Sequence, residues 1–191
     1  MTDPYADERL QFFLRNRDDI KAWAAIELDV MAATRDLLAR AQPLIEERLL
    51  SLDPTVAVGR HDNGSWERIL ARRQEWPSSV GLALEWNRSV DPAGPNRPKV
   101  GVFWWADPPN LIEPRTRFVE TVEKAKLMAL GFKVPWGGVW PVGNFVTLNT
   151  TWWSESAGWI DAIVDKLGQT WPLVVPAIDR VFGGESQVSD G

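Results

Sequence analysis

The chain contains no cysteine and a single histidine, His61. A thiol nucleophile, a cysteine zinc site and a two-histidine ligand set are therefore excluded from its chemistry. No stretch approaches the roughly 18 to 20 uninterrupted apolar residues that span a bilayer. The opening MTDPYADERL lacks the basic patch, apolar run and small-residue cleavage site of a secretory signal. A cytoplasmic protein with no membrane partner is expected, and the lack of disulfides fits a reducing compartment. Positive charge is also short, with 21 basic against 26 acidic residues and a net charge of -5. A groove that follows nucleic-acid phosphates along the whole molecule needs the opposite balance.

What is present is the composition of an ordinary globular protein: 191 residues, 45% hydrophobic and 25% charged. A chain of this size can bury a core without a metal or a bridge. One domain over residues 1–184 is expected, followed by a small polar tail, 185–191, expected to be disordered. The 15 arginines against 6 lysines suit a GC-rich bacterial or phage genome.

Residues 1–53 are helical in pattern and carry 7 basic and 11 acidic side chains, so most of the negative charge lies there. Leu10, Phe13 and Leu14 mark a short amphipathic segment. Asp18 or Asp19 can cap a second, in which Ile20, Trp23, Ala24, Leu28, Met31, Leu38 and Ile45 recur at near-helical spacing. Pro43 is expected to kink or restart that helix, because it removes an amide donor.

From Thr55 the texture changes to short runs between turn residues. Residues 55–60 and 66–73 flank Asp62-Asn63-Gly64-Ser65 and read as a hairpin, with Asn-Gly supplying the two positive φ angles of a type I′ turn. A helix over 66–76 is the competing reading. Val80–Trp86 and Lys99–Trp105 read as strands joined by a stiff loop with three prolines and one glycine. A helix follows over 113–130, started by Glu113-Pro114 and capped by Gly131. Residues 144–152 then read as a strand, and 154–182 as C-terminal helices with Trp159, Ile160, Ile163, Val164 and Leu167 on an apolar stripe. The order predicts an α+β fold: an antiparallel β-meander of about four to five strands against N-terminal, middle and C-terminal helices.

The segments FFLRNRDDIKAW (12–23) and LEW (84–86), the strand Gly101-Val102-Phe103 and the closing GWIDAIVDKL resemble small bacterial proteins of unknown function. Those proteins are labelled as relatives of the PD-(D/E)XK nucleases and associated with restriction or phage-defence genes. The resemblance implies a defence-associated or accessory protein. Such nucleases hold Mg²⁺ between an Asp on one strand and a Glu-x-Lys on the next. Here the strand reads Glu85-x-Asn87, with no lysine at that spacing, while Glu123-Lys124-Ala125-Lys126 misses it by one on a predicted helix. No catalytic residue and no metal ligand is carried over.

Tryptophan is the extreme feature. Trp23, Trp86, Trp159 and Trp171 lie on apolar stripes and read as core. The clusters Trp104-Trp105, Trp136 with Trp140, and Trp152-Trp153 are the candidate binding residues. Neighbours on a strand face opposite ways, so one indole of each adjacent pair is expected to meet solvent or a partner. Arg60, Arg72 and Arg73, with His61 and Arg68, form a candidate basic patch that the hairpin could gather, offset by Glu67 and Glu75. His61 beside Asp62 reads as an exposed turn residue rather than a general base. The segment Trp136–Gly143 lacks the spacing of a phosphate or dinucleotide loop and reads as a recognition loop. The expected function is a non-enzymatic protein-interaction module, an accessory, inhibitor or immunity-type protein that binds a protein partner through exposed tryptophans and needs no cofactor. The alternatives are a degenerate metal-dependent nuclease using Glu85 with Asp62 or Asp91, and a nucleic-acid-binding accessory centred on the arginines.

Overall fold

The computed structural model describes residues 8–90, 96–105, 109–146 and 156–183. Its central hairpin is β1 (Val56–Asp62) against β2 (Trp66–Arg73), antiparallel, with Val56 opposite Arg73 and Asp62 opposite Glu67. The turn differs from the expected one. Within the turn only Gly64 has positive φ, at 87°, and no described non-glycine residue does, so the two-residue loop Gly64-Ser65 follows the II′ pattern rather than I′. Asn63 serves instead through its side chain, whose Oδ1 accepts the Trp66 amide at 2.8 Å.

β3 (Val80–Asn87), β4 (Lys99–Trp104) and β5 (Val142–Phe145) extend the hairpin into a five-stranded antiparallel meander in sequence order. Residues 66–73 are thus strand, and the helical alternative for them falls. The register sorts side chains into two faces. Ile69, Leu82, Leu84, Trp86, Val100, Val102, Trp104 and Val142 share the face that joins the main core. Arg68, Leu70, Ala83, Glu85, Lys99, Gly101, Phe103 and Gly143 share the opposite face.

The core face is covered by helices. α1 (Glu8–Arg15) and α2 (Arg17–Ala39) meet at Asn16, so Asp18 and Asp19 lie inside the first turn of α2 and do not cap it. The chain breaks again at Arg40, and Pro43 sits in the first turn of α3 (Ala41–Leu50), where its missing amide costs nothing. Leu38, Ala41, Ile45 and Leu49 run at helical spacing across this break and are fully buried.

The single middle helix expected over 113–130 is two: α4 (Ile112–Thr121) and α5 (Lys124–Ala129), separated by Val122 in extended conformation. Val122 and Phe118 are buried, and turning the chain at Val122 lets both α4 and α5 set an apolar side chain, Phe118 and Leu127, into one core. The expected strand at 144–152 starts earlier, at Val142, and its residues beyond 146 lie outside the described ones. The C-terminal helices are one, α6 (Ser156–Phe182), which runs through Pro172 and Pro176. Both prolines lie on its exposed face. α6 lies against α3 so closely that a methyl at Gly168 would come within 2.7 Å of Arg48 Nε.

One polar network fastens these layers. Arg73, at the end of β2, donates through Nε to Asp53 Oδ2 at 2.8 Å and through Nη1 to Asp179 of α6. Asp179 also accepts the Trp76 indole N–H at 2.8 Å, and Asp53 accepts that of Trp171 at 3.2 Å. Burial pushes the Asp53 carboxyl up, but hydrogen bonds from Thr55 Oγ1 and the Thr55 amide, together with Arg73, outweigh it and hold the group at about 2.

Because the folded value lies below the ordinary 3.8, this carboxylate stabilises the fold above pH 4 and loses that contribution as pH falls toward 2. The loss is expected to reach about 2 kcal/mol. Urea unfolding at steps from pH 5 to pH 2 tests it: Asp53→Asn should be less stable than the natural chain at pH 5 and fall less steeply below pH 4. A parallel fall in both proteins would show that Asp53 does not carry the effect.

Candidate functional site

The non-core face of the sheet is where the sequence concentrates unusual chemistry. Along β4 the i, i+2 series Lys99, Gly101, Phe103, Trp105 lies on that face, and β2 and β3 bring Arg68 and Glu85 directly opposite each other beside it. Small residues form a row across the middle, Ala83 opposite Gly101 and Gly101 opposite Gly143. That row leaves room for rings to lie flat. A methyl at Gly143 would overlap the Trp136 ring, so glycine there is a requirement of space.

The segment 132–141 folds over this row, and its Val134–Pro135 peptide is cis. Trp140 packs edge-on to Phe103 with centroids 5.6 Å apart, and Trp136 packs edge-on to Phe145 at 5.0 Å. Leu70, Ala83, Phe103 and Trp140 make a small second core, with Trp136 and Val139 against it. The candidate recognition loop is therefore in part a cover. Trp140 is buried and Trp136 half-buried.

Beyond the cover the face stays open as a cavity of about 420 Å³, walled by Trp66, Phe103, Trp105 and Trp140 with Arg68, Glu85 and Lys99 among them. Arg68 donates twice to Glu85 Oε2, through Nε at 2.9 Å and through Nη2, while its guanidinium carbon lies 3.4 Å from the Phe103 ring centre. Lys99 Nζ stands 4.1 Å from the centre of the Trp66 ring and 3.7 Å from Glu85 Oε1, too far for a hydrogen bond. Glu85 is only 4% exposed. A carboxylate buried to this degree persists because two cations flank it, and each cation in turn rests on an aromatic face.

The sequence-derived candidates separate in this frame. Trp104 and Trp105 divide as adjacent strand residues must. Trp104 is fully buried on the core face and donates its indole N–H to the Leu111 carbonyl at 3.1 Å, so it is a core residue; Trp105 is 48% exposed at the cavity rim. Trp152 and Trp153 lie outside the described residues, as does Asp91.

The arginines do not form one patch. Arg73 is spent in the clamp on Asp53 and Asp179, and Arg60 pairs with Glu67 beside Trp86 on the core-side register. Arg72 donates to the carbonyls of Arg73, Gln74 and Trp76 and so fixes the β2–β3 turn. His61 lies opposite Arg68; partial burial, Arg68 and Arg72 all lower its pKa, so its imidazole is neutral at pH 7. Asp62 pairs with Arg88 at 2.9 Å at the far end of β1, and the register places it on the other face from Glu85. Among the described residues no three His, Asp or Glu side chains come together to hold a metal ion.

The sequence reading missed Lys99, Phe103 and Trp66 as members of one site. The alternation through Trp105 was the available signal for the first two. It also took Trp23 for core, whereas Trp23 is 73% exposed. Leu10, Phe12, Phe13, Leu14, Ile26 and Leu28 are exposed with it on α1 and α2. α1 buries no residue, and α2 buries only Thr34 and Leu38.

The division of the tryptophan pair gives a direct test by urea unfolding. Trp104→Ala is expected to cost about 3 to 5 kcal/mol, as for a large buried ring, and Trp105→Ala to stay within about 0.5 kcal/mol of the natural chain. Equal costs would contradict the facing described above. In comparisons with known proteins, the chain matches no family model, no curated protein and no solved structure.

Proposed function

We propose that the protein is a non-catalytic interaction module whose α1–α2 arm engages a helix of another protein chain. The observation that supports this reading is the continuation of one apolar stripe beyond the domain it serves. Leu38, Ala41, Ile45 and Leu49 are the buried end of that stripe, and Met31, Ala24, Trp23 and Ile20 continue it at the same helical spacing with no core beneath Trp23.

α2 is roughly 35 Å long at 1.5 Å per residue, so its outer part presents several turns of apolar surface. Monomeric proteins rarely leave such a surface uncovered. The charges of α1 and α2 support a protein as the occupant. Their six acidic and five basic side chains nearly balance, which provides no excess for phosphates or anionic lipid. An apolar helix face with neutral flanks suits another amphipathic helix, packed ridge into groove around an aromatic anchor.

Among the described residues no constellation for catalysis accompanies the arm. His61 has no nucleophile within its described hydrogen bonds, and Glu85 is held by Arg68 and Lys99 rather than paired with a second acid.

The test is affinity capture from the source cells with the full chain, run beside the double variant Trp23→Asp, Ile26→Asp. A stoichiometric chain retained by the natural protein and lost from the variant is expected, at an unchanged thermal midpoint, because neither side chain is buried in the domain. Retention by both, or by neither, removes the reading.

A further inference from the structure

The open cavity on the sheet is independent of the arm and has its own chemistry. Its walls are rings, and its polar groups are mostly donors with nothing to donate to. Arg68 spends Nε and Nη2 on Glu85, but its Nη1 has no partner among the described residues. Lys99 Nζ reaches no acceptor at hydrogen-bond length. The indole N–H groups of Trp66, Trp105 and Trp140 likewise donate to no described residue.

Against these donors stands one carboxylate, Glu85, already doubly engaged on one oxygen. Two positive side chains and one negative leave the cavity with one positive charge inside a protein of net charge -5. Placing surplus cations in a partly dry concavity costs solvation, which an incoming anion would offset. A cationic guest of the aromatic-cage type is disfavoured, because Arg68 already occupies the face of Phe103 and Lys99 that of Trp66.

We infer that this cavity binds a small planar aromatic anion, a ring carrying one carboxylate or phosphate. Its ring lies against Trp105 and Trp140 and its charged group meets Lys99 and the free edge of Arg68. The volume, about 420 Å³, is in the range of small-ligand sites. The recognition is divided among three parts of the chain: β2 supplies Arg68, β4 and the residue after it supply Lys99, Phe103 and Trp105, and the covering segment supplies Trp140. A ring alone would leave the cations unmet, and an anion alone would leave the indole walls wet, so only a ligand with both parts satisfies the site.

Isothermal titration calorimetry of the full chain decides the matter, with indole-3-acetate and phenyl phosphate as the aromatic anions. Acetate, inorganic phosphate and phenyltrimethylammonium serve as controls. Saturable binding of at least one aromatic anion is expected, at least tenfold tighter than its ring-free counterpart. Lys99→Met and Trp105→Ala should each weaken it about tenfold, since a charge-assisted hydrogen bond or a stacked ring carries that much affinity. Preference between the two aromatic anions tells carboxylate from phosphate. Absence of saturation for both at millimolar concentration overturns the inference, as does equal affinity for the ring-free anions, tighter binding of the ammonium, or variants that bind like the natural chain. Trp23→Asp, which disables the arm, should leave these titrations unchanged.

Discussion

Arg73 is the interaction on which the arrangement of layers depends. One guanidinium at the end of β2 joins Asp53, which follows α3, to Asp179 on α6, and the indoles of Trp76 and Trp171 donate to the same two carboxylates. A hydrophobic sheet face and an amphipathic helix attract each other without regard to orientation. The clamp supplies the missing direction, because its hydrogen bonds are satisfied at one setting of α6 against the sheet. With that face closed by α3, α4 and α6, Arg68, Glu85 and Lys99 stand together on the other side of the sheet, while Arg60, Glu67 and Arg73 remain on the helix side.

The sheet thus works as a partition. Strand parity sends Trp104 into the core and Trp105 outward, and it sends Arg73 to the clamp while Arg68 goes to the cavity. This is also where the sequence was legible and where it was not. The hairpin, the strands at Val80 and Lys99, the α+β order and the division of adjacent tryptophans follow from period-two patterning and turn residues, which are local properties. The arginine cluster could not be read that way. Arg72 and Arg73 are neighbours in sequence and opposites in space, so proximity along the chain misreports proximity on the surface.

Three departures have the same origin in tertiary context. Residues 113–130 have helical periodicity throughout, yet the chain turns at Val122, which places Phe118 and Leu127 in one core. The stripe containing Trp23 has a helical period interrupted by Glu27, and period alone does not say whether a domain lies beneath it. Asn63-Gly64 carries the composition of a I′ turn, but the Asn63 side chain accepts the Trp66 amide and the loop closes one residue later. In each case the local signal identified the element, and the packing partner decided its limits.

The two surfaces left over differ in kind. The arm is apolar, convex and nearly neutral, whereas the cavity is concave, aromatic and cationic. They also draw on separate parts of the chain, so a change in one has no direct route to alter the contacts of the other. β1, meanwhile, forms one edge of the sheet, and its last turns of backbone carry Arg60, His61 and Asp62 in succession, all exposed. A strand added there by a neighbouring molecule would have to accept those three groups along its length. The fold thereby discourages strand-to-strand growth at this edge of its sheet.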